Sequence, residues 1–333
     1  MQTNKLYPLV FKPIYKEKIW GGNNFKQFPG MADAPDKKKL GEAWLMSGLN
    51  DNPTYVANGF LKNNPLNELV EIYMDDIVGE KVYTRFENHF PVLLKFIDAT
   101  DKLSIQVHPD DEMAEKLYGY PNGKTEMWYI LNADKDSWII NGFNRDVSKE
   151  ECIEFIKNDK IEEILNYIKV EKDEAYLIPA GRIHAAGKGI VFAEVQQASD
   201  YTFRIYDWNR TDEKNNKRKL HINEAILSMN LKTPLNTKIN YNINTNTTLP
   251  LVKSQAFYSN LIVLNKAVKR DFSGMGTFVA YLCLEGSANI CYDNIKVDFI
   301  SGNAVLVPAE ITENEFFIST DKTAKLIEIY LNI

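Results

Sequence analysis

Apolar and polar positions alternate through LSIQVHPDD, residues 103 to 111, with Leu103, Ile105 and Val107 on one side and Ser104, Gln106 and His108 on the other. A period of two belongs to a β-strand, whose residues two apart leave the same face. A Gln and a His therefore project together from a polar face, opposite a dry one. KTEMWYIL repeats the pattern, with Glu126 at the start of a strand and Trp128 and Ile130 on its face. Short apolar runs such as DSWIING, EAYLIP and GIVFAEVQ, broken by Gly, Pro, Asn and Asp, extend the rhythm. It predicts a mainly β chain built as a sandwich or barrel.

Helical spacing is local. Leu66, Leu69, Val70 and Tyr73 predict a helix within residues 65 to 78, with Gly79 as its stop. Ser148 and Glu151 form a capping box for a second helix, a third is expected from Ile161 to Ile168, and HINEAILSMN predicts a short fourth. NRTDEKNNKRK, residues 209 to 219, reads as an exposed loop, and DKKK at 36 to 39 as a solvated one.

An Asn- and Thr-rich stretch at 234 to 250 marks a linker, which divides the chain into residues 1–233 and residues 251–333. Beyond it, YLCLEGSANICYD and SGNAVLVPAEIT echo the earlier KDEAYLIPAGRIH, but no histidine stands where the first copy has His184. The second part is expected to be a smaller β-sandwich without a metal site, serving structure or assembly.

With 333 residues and 44% hydrophobic content, the chain is long enough for two cores. A net charge of −6 with interspersed signs offers no basic face for nucleic acid or an anionic membrane. No apolar run approaches the ~20 residues of a membrane span, and MQTNKLYPLVFKP lacks a signal-peptide core. A cytoplasmic protein is expected, and three cysteines without a CxxC pair fit a reducing compartment.

Of the four histidines, His184 follows the Pro179-Ala180-Gly181 turn that ends an apolar strand, so the turn aims its ring. His108, His184, Glu126 and Gln106 make a mixed nitrogen and oxygen set suited to zinc, iron, manganese or nickel. The plain alternative for each histidine is a buried, hydrogen-bonded ring. Thr202, Arg204 and Tyr206 share a face in TFRIYDW, where the Arg204 fork suits an anionic oxygen group, or else pairs with Asp200 or Asp207. Glu194 and Gln196 alternate inward on VFAEVQQ and can orient ligands, bind hydroxyls or take a proton. Lys124 shares the Glu126 face, or is a solvated loop lysine. Trp20, Trp44 and Trp128 are expected to fill the core.

In order, QVHP, KTE, PAGRIHA and EVQQASDYTFRIYDWNR resemble the cupin-type class I mannose-6-phosphate isomerases in their shorter bacterial form. IWGG at 19 to 22, GEAWLMS at 41 to 47 and FPVLLKFIDA at 90 to 99 are similar to the same family, and the match weakens beyond Arg210. The resemblance implies a cupin barrel in residues 1–233 and a cupin-like module in 251–333. It implies one zinc held by Gln106, His108, Glu126 and His184, Arg204 as the catalytic arginine, and Lys124 at the substrate. Glu194 is expected to line the pocket. The implied reaction interconverts mannose 6-phosphate and fructose 6-phosphate through an enediolate, with a sugar phosphate as partner and a monomer or weak homo-oligomer as assembly. Asp110 and Asp111 follow His-Pro where some longer relatives have a lysine, which leaves the proton-transfer group open. Two rival readings are a metal-dependent cupin oxidoreductase, for which two histidines and a carboxylate suffice, and a non-catalytic sugar-binding cupin.

Overall fold

A computed structural model describes residues 5–36, 39–211 and 215–333. Lys37 and Lys38 of the DKKK stretch, and residues 212–214 of the expected loop at 209–219, lie outside the described residues. The fold is mainly β, in three antiparallel sheets.

The first sheet runs in the order Lys238–Ile239, Ala175–Ile178, Glu126–Ala133, Ile190–Gln197, Val92–Ala99, Ile14–Gly22, Leu40–Met46. Facing it is a five-stranded sheet, Phe203–Tyr206, Ile105–Val107, His184–Ala186, Trp138–Phe143, Leu165–Lys169. Alternation along each strand sorts side chains between two cores. On Glu126–Ala133, Met127 and Tyr129 join the outer core, while Trp128 and Ile130 join Ile97, Ile139, Phe192 and Ala186 in the barrel interior. Ile105 and Val107 pack outward, as expected, against Cys152, Ala225 and Ile226 of the covering helices. Leu103, which precedes the strand, packs instead into the barrel interior.

The outer core lies against a ten-stranded sheet made largely from the C-terminal part of the chain. Leu94, Phe96 and Val195 share one cluster with Leu282, Leu306 and Ile327. The first strand, Leu9–Lys12, also belongs to this sheet, pairing Leu9 with Leu306 and Val10 with Val305. The two parts are thus tied by a strand from the start of the chain as well as by a common core. The 234–250 stretch passes between sheets: Ile239 pairs with Ala175 in one, and Thr248 begins a strand in the other.

The capped helix forms as expected over Lys149–Lys157, with the Ser148 side chain accepting from the Glu151 amide. The helix after Pro65 is interrupted at Met74, which has φ 47°, and splits into Leu66–Tyr73 and Asp75–Val78. The helix expected from Ile161 to Ile168 does not form. A 3-10 turn at Ile161–Ile164 leads into the strand Leu165–Lys169, where Ile168 pairs with Ile139. Pairing with a neighbouring strand outweighs the local helical spacing. No helix among the described residues is long and apolar enough to cross a membrane.

Candidate active site

At one end of the barrel interior the apolar lining gives way to polar groups. His184 opens its strand directly opposite Gln106, and the next pairing brings Arg204 opposite Gln106 from the other side. The turn before His184 needs Gly181, with φ 82°, where an added Cβ would stand 2.8 Å from the Ser228 carbonyl oxygen. That turn and the paired strands bring His184 onto Glu126 across the barrel.

His108 Nε2 lies 3.2 Å from Glu126 Oε1, and His184 Nε2 lies 3.6 Å from Glu126 Oε2. All three residues are buried, and their nearest donor atoms lie within 4.8 Å of one another. Each imidazole is anchored from behind. His108 Nδ1 is 2.6 Å from the Tyr201 carbonyl and His184 Nδ1 is 2.8 Å from the Arg182 carbonyl. A carbonyl only accepts, so both Nδ1 atoms bear the proton, and in the neutral rings both Nε2 lone pairs face the carboxylate. Burial, and then the Lys124 ammonium, push the His108 pKa down to about 3; burial lowers that of His184. Burial would raise the Glu126 pKa, but the Lys124 ammonium leads the opposing effects and holds the carboxyl well below its usual range.

This donor set fits a divalent ion. Two ligand atoms each about 2.1 Å from a tetrahedral zinc stand roughly 3.4 Å apart, close to the separations here. Glu126 Oε1 is buried without a hydrogen bond of good geometry, its neighbours being His108 Nε2 and Lys124 Nζ, each 3.2 Å away. Gln106 reaches the same place, its Nε2 3.3 Å from His184 Nε2. Exchanging the ends of that amide turns its oxygen inward without moving any other atom.

The remaining candidates surround this cluster. Lys124 is buried, not a solvated loop lysine, with Nζ 3.2 Å from Glu126 Oε1. Arg204 is half-buried; its Nε donates to Ser104 Oγ at 3.3 Å and its Nη1 to the Lys219 carbonyl at 3.1 Å. Of the two expected alternative partners, Asp200 and Asp207, the second is taken by Arg210 and Arg218. Glu194 lies on the inner face beside them, accepting from the Trp128 indole at 2.9 Å and paired with Lys95 Nζ at 3.2 Å. Its pKa is raised, first by burial and then by the negative charge of Glu126. Gln196, directly opposite Glu126 in the sheet, is fully buried. The tryptophans divide: Trp20 and Trp128 join the barrel-interior core as expected, Trp128 also edge-on to His184, while Trp44 faces Lys95, its ring centre 5.1 Å from Nζ.

Sequence reasoning missed a row of charges. Glu194 pairs across the sheet with Trp128 on one side and Lys95 on the other, and Lys95 pairs with Trp44. Glu42 continues the row, 2.9 Å from Lys18 and accepting from the Trp44 indole at 2.7 Å. A signal was present: Lys95 is the one cation inside the fully buried run VLLKFIDA. A cleft of about 260 Å³ lies elsewhere, between Arg85, His89, Tyr120, Asn122 and Ala256, and contains none of the clustered ligands. Donor chemistry marks the site, not cavity size.

Residues 9–128 match the family described as phosphomannose isomerase type I, catalytic domain. A probable mannose-6-phosphate isomerase of Bacillus subtilis, GmuF, is 30% identical over 317 residues, covering 92% of this chain and 95% of that protein. The chain belongs to the type I phosphomannose isomerase family. The mannose-6-phosphate isomerase ManA of B. subtilis is 38% identical over 220 residues, 66% of this chain and 67% of its own. A counterpart from Streptococcus mutans is 38% identical over 229 residues, 69% and 70%. The crystal structure of the mannose 6-phosphate isomerase from B. subtilis superposes with a TM-score of 0.82 at 28% identity, covering 97% of this chain and 99% of that one. Type I phosphomannose isomerases are enzymes, and the cupin-type fold expected from the sequence is the fold of this chain.

Proposed function

We propose that this chain interconverts mannose 6-phosphate and fructose 6-phosphate, with zinc held by His108, Glu126, His184 and Gln106. The observation that carries the reading is the convergence of two Nδ1-anchored imidazoles on one buried carboxylate. Family membership supplies the substrate, since the relatives are named for mannose 6-phosphate.

Aldose–ketose isomerisation moves one proton between adjacent carbons and develops negative charge on the adjoining oxygens. Zinc in this donor set supplies Lewis acidity toward a carbonyl or hydroxyl oxygen. The other duties fall to side chains. Glu194, a buried carboxylate on the inner face whose pKa is raised by burial and by Glu126, is the group we assign to take the proton. Lys95 and the Trp128 indole hold its oxygens in place. Lys124 presents an ammonium beside Glu126, positioned for a sugar hydroxyl. Arg204, free of any carboxylate partner among the described residues, offers its fork to the enediolate or the phosphate.

The test is a coupled assay of fructose 6-phosphate formation on chelator-stripped protein given back zinc, manganese, iron or cobalt separately. Zinc-restored turnover that is lost in His184→Ala supports the reading. No turnover with any metal overturns it and turns attention to oxygen consumption and sugar binding.

A further inference from the structure

We propose that Gln196 is a positioning residue for His108, acting through the turn at 197–199 and the Tyr201 carbonyl. The inference rests on the metal-centre reading of the site. Gln196 is fully buried on the inner face, directly opposite Glu126. Its Nε2 donates twice, to the Gln197 carbonyl at 2.8 Å and the Ser199 carbonyl at 2.7 Å. Its Oε1 is buried without a donor. The partners decide which way the amide faces, because the opposite orientation sets an oxygen against two carbonyl oxygens.

The amide therefore clamps the turn. Two residues on, Tyr201 is tied back through its amide to Ser199 Oγ at 3.4 Å, and its carbonyl accepts from His108 Nδ1 at 2.6 Å. The clamp sets where that carbonyl stands, and the carbonyl decides which ring nitrogen of His108 bears the proton. Without it, His108 exchanges tautomers and its Nε2 lone pair is no longer dedicated to the metal. Groups that orient a metal ligand in this way are worth about 10- to 100-fold in metal affinity. His184 supplies an internal control, since its Nδ1 is fixed by the Arg182 carbonyl on a different turn.

The experiment compares wild type with Gln196→Met, which keeps length and burial but cannot donate. Histidine side chains labelled with ¹⁵N are read by two-bond ¹H–¹⁵N correlation in metal-free protein, and zinc affinity is measured by chelator competition. In wild type both His108 and His184 should show the Nδ1–H tautomer. In the variant His108 should move toward a mixture while His184 stays, with zinc bound about 10- to 100-fold more weakly. An unchanged His108 with unchanged zinc affinity overturns the proposal, as does an equal change in both rings, which signals general loosening. Should Gln196→Met fail to fold, Ser199→Ala loosens the same turn and must shift His108 in the same direction. Failure of the metal-centre reading looks different: wild type itself then binds no zinc.

Discussion

Glu126 and Glu194 share one indole proton, with Trp128 Nε1 3.1 Å from Glu126 Oε2 and 2.9 Å from Glu194 Oε1. Their pKa values are nevertheless pushed in opposite directions. Burial raises both, but the Lys124 ammonium opposes it at Glu126, whereas at Glu194 the charge of Glu126 adds to it. One carboxylate is kept ionised beside the imidazoles, and the other is left with proton affinity to use. Pairs of titratable groups pushed apart in this way mark the division of acid and base roles.

Removing the shared donor should move the pH profile. In Trp128→Phe, Glu194 loses a hydrogen bond that favours its charged form, so its pKa rises further. A base works deprotonated, so the acidic limb of kcat should shift to higher pH, with the rate falling more in mild acid than above neutrality. A limb that stays in place excludes Glu194 as the base.

The Arg204 fork should not be replaceable by a point charge. Arg204→Lys keeps the charge but not the planar donors that reach Ser104 Oγ and the Lys219 carbonyl. A fall in kcat/KM of about 100-fold is expected, the size of losing one preorganised donor to a developing oxyanion. Steady-state kinetics on the zinc-loaded variant read it out, and near-wild-type turnover would remove Arg204 from the chemistry.

Glu42 should make stability acid-sensitive. Burial raises its pKa, but Lys95 and Lys18 outweigh that and bring it to about 2, from an ordinary 4.5. A carboxylate depressed on folding contributes stability that is present above its ordinary value and lost as pH falls from there toward 2. The shift corresponds to about 3 kcal/mol. Denaturant unfolding across this range should show the decline, and Glu42→Gln should flatten it; an equally steep decline in the variant would assign it to other groups.

In the C-terminal sandwich, Glu328 is fully buried and bound by Arg270 at 2.6 Å and 2.8 Å, by the Tyr281 hydroxyl at 2.7 Å and by Asn260 at 2.9 Å. Arg270→Met leaves that carboxylate without its cation, which costs about 3–5 kcal/mol. The folded variant should keep the wild-type kcat, because the network lies outside the metal-ligand cluster. A reduced kcat at full folding would tie the second part of the chain to catalysis.

Much of the site was legible because local geometry announces it. Alternation over 103–111 pointed to the strand that carries Gln106 at Ile105–Val107, with His108 one residue past its end, the turn before His184 declared itself in Pro179-Ala180-Gly181, and Ser148 with Glu151 marked a helix start. The stretch at 161–168 misled because four residues of helical spacing carry no information about the strand waiting beside them. Period two puts Lys124 on the Glu126 face, but a solvated loop lysine fits the sequence as well, because nothing nearby in sequence shows that it is covered.

By itself, then, the sequence determined what period-two and turn chemistry encode: a β-rich chain, the strands and turn that present the two imidazoles, and a second part without a histidine. Only the tertiary structure decided the rest: that Glu194 stands between Trp128 and Lys95, that the Tyr201 and Arg182 carbonyls choose the tautomers, and that Leu9–Lys12 joins the sheet of the far end of the chain. The reason is physical. Spacing along a strand sets which face a side chain takes, but the register between strands far apart in sequence is set by how their apolar faces pack.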